Sequence, residues 1–124
     1  MEKTYIQKLE TLESEYETTQ RMIEDEIEEA FYEKQQFARS LESVLENYRY
    51  HYQQANFSES INMSAVYNLL EQCKEDGDMI VNQTIKELEY EQEENKLNHR
   101  KESRKIEDEL TLLKEKERGN DYEQ

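Results

Sequence analysis

From Leu9 onward the apolar residues recur at steps of three and four: Leu9, Leu12, Tyr16, Ile23, Ile27, Ala30, Phe37, Leu41, Val44 and Tyr48. That spacing marks a stripe along an α-helix, because residues three and four apart share a face. The steps follow a heptad on either side of Ile23, but Ile23 to Ile27 comes where a step of three is due, so the register slips as in a stutter. After a segment rich in serine and asparagine the stripe resumes with Val66, Leu69, Cys73, Ile80, Ile85 and Leu88, and later with Ile106, Leu110 and Leu113. The pattern predicts a single all-α domain over residues 1–124: helix 1 over about 3–55, a turn over about 56–62, helix 2 over about 63–117, and a short disordered tail over 118–124.

Arms of about 50 residues each would run roughly 75 Å at the usual helical rise, and their stripes must pair with something. Doubling back near residues 56–62 sets residue i opposite residue j where the two numbers add to about 118. The polar run from Ser14 to Gln20 then faces the equally polar run from Asn98 to Arg104. The only basic cluster, Lys96, His99, Arg100, Lys101, Arg104 and Lys105, lands opposite Glu13, Glu15 and Glu17. Both coincidences point to an antiparallel two-helix hairpin of coiled-coil type.

Three local features refine this. Tyr48, Tyr50 and Tyr52 alternate as in a strand, but over five residues and at the end of a stripe that already takes in Tyr48 and Tyr52, so they read as the last turns of helix 1. Asn56 stands three residues before Glu59 as in a capping box, and Ser58, Ser60, Asn62 and Ser64 are further N-cap candidates. The weak point of helix 2 is Glu75-Asp-Gly-Asp78, since glycine costs a helix interior about 1 kcal/mol against alanine. A continuous helix is expected there, with a break near Gly77 as the alternative.

Composition narrows the function classes. With 38% charged residues against 34% hydrophobic ones a thick core is hard to build, and the absence of proline permits long helices. A formal charge of -15 opposes binding to nucleic acid and to anionic membranes. No apolar run approaches a membrane span, and Met1 to Glu10 lacks the apolar core of a signal peptide, so a cytoplasmic protein without membrane insertion is expected. The lone Cys73 agrees with a reducing compartment and, lying on the stripe, reads as a packed thiol.

No catalytic, metal or cofactor constellation emerges, and an enzyme is not expected. His51 and His99 lie in opposite arms with a single cysteine, which leaves no zinc set. There is no phosphate-binding glycine loop, Asp76-Gly-Asp78 lacks the spaced carboxylates of a calcium loop, and the other acids sit on helix faces. Like-charged pairs at i, i+4, among them Glu13/Glu17, Glu24/Glu28 and Glu42/Glu46, each cost roughly 0.2 to 0.5 kcal/mol at low salt. They describe either a solvated acidic face or one whose repulsion a basic partner relieves. Tyr48, Tyr52, Phe57 and Tyr67 are suited to closing the end of the hairpin, yet two helices cannot also bury Phe31, Tyr32 and Tyr50. These seven aromatics are the candidate partner-binding residues. A hairpin this thin also favours a second hairpin against it, as in a four-helix arrangement.

An all-helical, proline-free, acidic hairpin of this size resembles the small WXG-type proteins of bacterial type VII secretion. More particularly it resembles the accessory hairpin proteins that accompany LXG-type toxins and lack the signature tripeptide: this chain has no tryptophan, and Gln53 to Asn62 holds no glycine. The family's export element, a tyrosine with an acid four residues on, is matched in spacing by Tyr67/Glu71 and Tyr90/Glu94. The resemblance implies a non-enzymatic targeting chaperone that binds the helical N-terminal domain of a toxin, alongside a sibling hairpin protein in a hetero-oligomer, and leaves co-export open. Two other classes compete. A prefoldin-like or general coiled-coil chaperone also places two long helices around a short central segment, though a prefoldin-like chain needs strands there, for which Tyr48 to Ser64 is a poor source. In a structural coiled-coil dimer the heptad would persist through 50–65, where it lapses.

Overall fold

The computed structural model describes residues 1–55 and 63–123. They form two helices, α1 (Glu2–Ala55) and α2 (Met63–Glu123), and no strand occurs among the described residues. The helices pack against one another as an all-α antiparallel hairpin. α2 runs past the predicted end at 117, through most of the expected tail. The predicted turn and its candidate caps Asn56, Ser58, Ser60 and Asn62 lie outside the described residues.

Both helices are rich in glutamate, lysine, glutamine and leucine, which lose little rotamer freedom on a helix. Interior threonines are accommodated by back-bonding: Thr18, Thr84 and Thr111 each donate to the carbonyl four residues earlier, at 2.8, 3.1 and 3.0 Å. α2 is continuous through Gly77, and the break considered above does not occur. The glycine serves packing instead. A β-carbon on it would lie 2.4 Å from Cε1 of Phe37, so the phenyl ring occupies the space a side chain would fill.

The chain divides into two compact units, Met1–Asp25 with Glu89–Gln124, and Glu26–Leu88. In the second, Ala30, Ile85 and Leu88 are buried, while Leu41, Leu45, Leu70 and Val81 are half-buried. Cross-helix contacts are Lys34 Nζ donating to Asn82 Oδ1 at 3.3 Å, Phe37 against Gly77, and Arg49 Nε donating to the Tyr67 hydroxyl at 2.7 Å. In the first, Ile23 is buried and Tyr16 stacks on His99, the ring centroids 4.3 Å apart.

These contacts correct the register. Facing residue numbers add to 116 for Lys34 with Asn82, 115 for Tyr16 with His99 and 112 for Gln20 with Gln92, below the predicted 118 by up to almost two helical turns. Tyr16 thus meets Asn95 and His99, the latter inside the run from Asn98 to Arg104 expected opposite it, whereas Gln20 meets Gln92, outside that run. The shift arises because Tyr16 and Gln20 turn inward and need hydrogen-bonding partners, which matching polarity alone could not position.

The stripe is corrected too. Val44, Leu69 and Ile80 are 49%, 65% and 68% exposed, and their neighbours Leu45, Leu70 and Val81 take the inward positions. Tyr48 is likewise exposed, while Tyr52 turns in. From Leu9 to Leu45 the inward positions of α1 take ten steps over 36 residues, the 3.6 period of an α-helix. Steps such as Tyr16 to Gln20 and Lys34 to Ala38 keep this period, so the slip near Ile23 is ordinary helical drift against a heptad.

Candidate partner-binding face

Within the unit Glu26–Leu88 two contacts mark opposite edges of the hairpin. On one, the Tyr67 hydroxyl accepts from Arg49 Nε and Nη2, and the guanidinium lies 5.1 Å from the Tyr67 ring centroid. A cleft of about 210 Å³ opens on that edge, lined by Ala38, Leu41, Leu45, Tyr67 and Leu70 with Glu42, Glu71 and Lys74. On the other edge Phe37 lies on Gly77.

Successive residues turn by about 100° around a helix, so Val44 and Tyr48, seven and eleven residues beyond Phe37, return to its edge within about 20°. Counting from Gly77 on α2, Cys73, Ile80 and Leu69 fall about 40°, 60° and 80° from it, all toward the same outward side. Phe37, Val44, Tyr48, Leu69 and Ile80 are all exposed, and Cys73 is half-buried and free. This edge is thus an apolar seam beside the stripe that closes the hairpin, and none of the described residues covers it.

The candidate aromatics do not converge on one site. Tyr48 belongs to the seam and Tyr67 to the opposite edge. Phe31, Tyr32 and Tyr50 are exposed, with Tyr32 and Tyr50 eighteen residues, five full turns, apart on the back of α1. Tyr52 is half-buried, and Phe57 lies outside the described residues. Phe37, Val44, Leu69 and Ile80 belong to the predicted stripe yet stand exposed, whereas Cys73 is half-buried like the inward positions. The signal that separates them is the width of the apolar arc: 44 beside 45, 69 beside 70 and 80 beside 81 are adjacent pairs, and one helix partner covers only one member of each.

The unit Met1–Asp25 with Glu89–Gln124 carries a polar layer. Gln20 Nε2 donates to the Tyr16 hydroxyl at 3.2 Å and to the Gln92 carbonyl at 3.4 Å, and Asn95 Nδ2 donates to the Tyr16 carbonyl at 3.5 Å. His99 Nε2 lies 2.8 Å from Glu13 Oε2. This is the contact through which the basic cluster meets the acids of α1. Among the described residues no lysine or arginine forms an ion pair, since long exposed side chains gain little by holding one geometry in water. Gln20 Oε1 and His99 Nδ1 are buried without a hydrogen-bond partner. Sliding one helix by a turn would strand the remaining polar groups as well, so the layer holds the register.

Of the two export-type spacings, Tyr90 and Glu94 touch: the Tyr90 hydroxyl donates to Glu94 Oε1 at 2.9 Å within α2. That hydrogen bond, and then the carboxylate's charge, holds the phenol above its ordinary value of 10.0. No helix is long and apolar enough to cross a membrane among the described residues. Comparison with protein-family models, curated proteins and solved structures finds no match for this chain.

Proposed function

We propose that this protein is a non-enzymatic helical adaptor that binds a partner's helical domain. The observation that carries this reading is the uncovered apolar seam from Phe37 to Tyr48 and Leu69 to Ile80, on a hairpin whose own stripe is already used. Exposed aromatic and aliphatic side chains aligned at helical spacing on an acidic surface are the material of a helix-docking interface. The resemblance to accessory proteins of type VII secretion supplies the partner: the helical N-terminal domain of an LXG-type toxin, held in the bacterial cytoplasm with a sibling hairpin protein before export.

Co-expression of the full chain with such a toxin domain and a sibling hairpin, followed by affinity capture and size-exclusion chromatography, tests this. A stoichiometric complex is expected. Elution of the chain as a monomer in the presence of every candidate overturns the reading.

A further inference from the structure

We infer that the seam's occupant is an amphipathic helix whose apolar stripe is flanked by lysine or arginine, and that a second copy of this chain does not fill it. This deepens the adaptor reading and rests on it. From Phe37 to Tyr48 the seam spans eleven residues of α1, about 17 Å, the length of three helical turns. A partner helix with apolar residues at i, i+4, i+7 and i+11 matches that length.

The sign of the flanks follows from what borders the seam. Glu33 stands one turn before Phe37, Glu87 two turns beyond Ile80, and Asp76 on the outward side of Gly77, all exposed. None of them is in an ion pair; Asp76 and Glu87 accept only from Gln72 at 3.0 Å and Gln83 at 3.3 Å. No lysine or arginine of this unit serves the seam. Lys34 is bound to Asn82, Arg49 to Tyr67, and Lys74 lines the opposite cleft. Arg39 and Lys86 stand two residues from Phe37 and six from Ile80, turned about 160° and 120° away. Residues 26–88 hold twelve carboxylates against five lysines and arginines. Two copies meeting through this seam would set Glu33, Asp76 and Glu87 against like charges, whereas a cationic flank meets unpaired acids.

The test uses the full chain and two synthetic helices of about 18 residues, identical in their leucine stripe, one flanked by lysine and one by glutamate. Binding is followed by fluorescence anisotropy at low and moderate salt. The lysine-flanked helix is expected to bind at least about tenfold more tightly. Leu69→Ser with Ile80→Ser is expected to weaken it about tenfold or more, with unchanged circular dichroism because both side chains are exposed. Glu33→Gln, Asp76→Asn and Glu87→Gln together are expected to weaken it several-fold and flatten its salt dependence. Equal binding of the two helices, or wild-type binding by the Leu69/Ile80 variant, overturns the inference. So does self-association that the same variant abolishes. If that variant still recovers a partner in co-expression, the adaptor reading stands and this assignment falls. If no partner is recovered but the peptides discriminate as described, the seam stands and the adaptor reading falls.

Discussion

Gly77→Ala is a substitution whose effect is decided by one contact. Alanine in place of glycine in a helix interior contributes about 0.5 to 1 kcal/mol. Against it, the new methyl would lie 2.4, 2.8 and 3.2 Å from Cε1, Cδ1 and Cζ of Phe37, so the ring must move to about 3.5 to 4 Å. The ring is the far end of a side chain already 39% exposed, so it swings outward and leaves the backbone in place. Full burial of a phenylalanine is worth about 1.5 to 3 kcal/mol, and surrendering about a third of that costs about 0.5 to 1. The two effects nearly cancel, and Gly77→Ala alone should fall within about 0.5 kcal/mol of wild type. In a Phe37→Ala background there is no ring to displace, and the same change should stabilise by the full 0.5 to 1 kcal/mol, about as propensity predicts. Urea unfolding of the four proteins, followed by circular dichroism, closes the double-mutant cycle. A coupling below about 0.3 kcal/mol would mean that Phe37 does not rest on Gly77, and the edge assigned from that contact would fall with it.

Leu88→Ala, at a buried position, should cost about 2 to 4 kcal/mol, whereas Leu69→Ser, at an exposed one, should cost less than about 0.5; thermal melts compare them directly. Gln20→Leu removes a buried acceptor that has no partner in exchange for two long hydrogen bonds, and should stabilise by about 1 kcal/mol in the same melts. Raising salt from low to physiological should raise the melting temperature, because like-charged i, i+4 pairs such as Glu24/Glu28 and Glu42/Glu46 each cost roughly 0.2 to 0.5 kcal/mol and no lysine or arginine among the described residues is ion-paired. A melting temperature indifferent to salt would remove repulsion as the molecule's weakness.

The architecture was legible because helical periodicity and the absence of proline act over dozens of residues, and an antiparallel return was the economical way to cover both arms. What periodicity could not resolve was which of two adjacent apolar residues faces the partner helix. Leu69 and Leu70, or Ile80 and Val81, differ by 100°, and either fits a stripe built from steps of three and four. The choice is made by cross-helix contacts such as Phe37 on Gly77, which depend on register. Register in turn depends on Tyr16, Gln20, Asn95 and His99 finding one another, a matter of hydrogen-bond geometry that residue polarity does not encode. Gly77 was ambiguous for a related reason: a glycine within a helical pattern marks a weak backbone or a close approach, and only the partner side chain tells which. The aromatics were legible as surplus surface, but their dispersal over the seam, the opposite edge and the back of α1 needed coordinates.

The separation of an inward stripe from an uncovered seam is tested most directly by thiol accessibility. In a Cys73→Ser background, single cysteines are placed by Leu69→Cys, Leu70→Cys, Ile80→Cys and Val81→Cys, and alkylation is timed under native conditions. The structure predicts that positions 69 and 80 react several-fold faster than 70 and 81. Faster reaction at 70 and 81 would show that the seam faces the neighbouring helix, and would contradict the account.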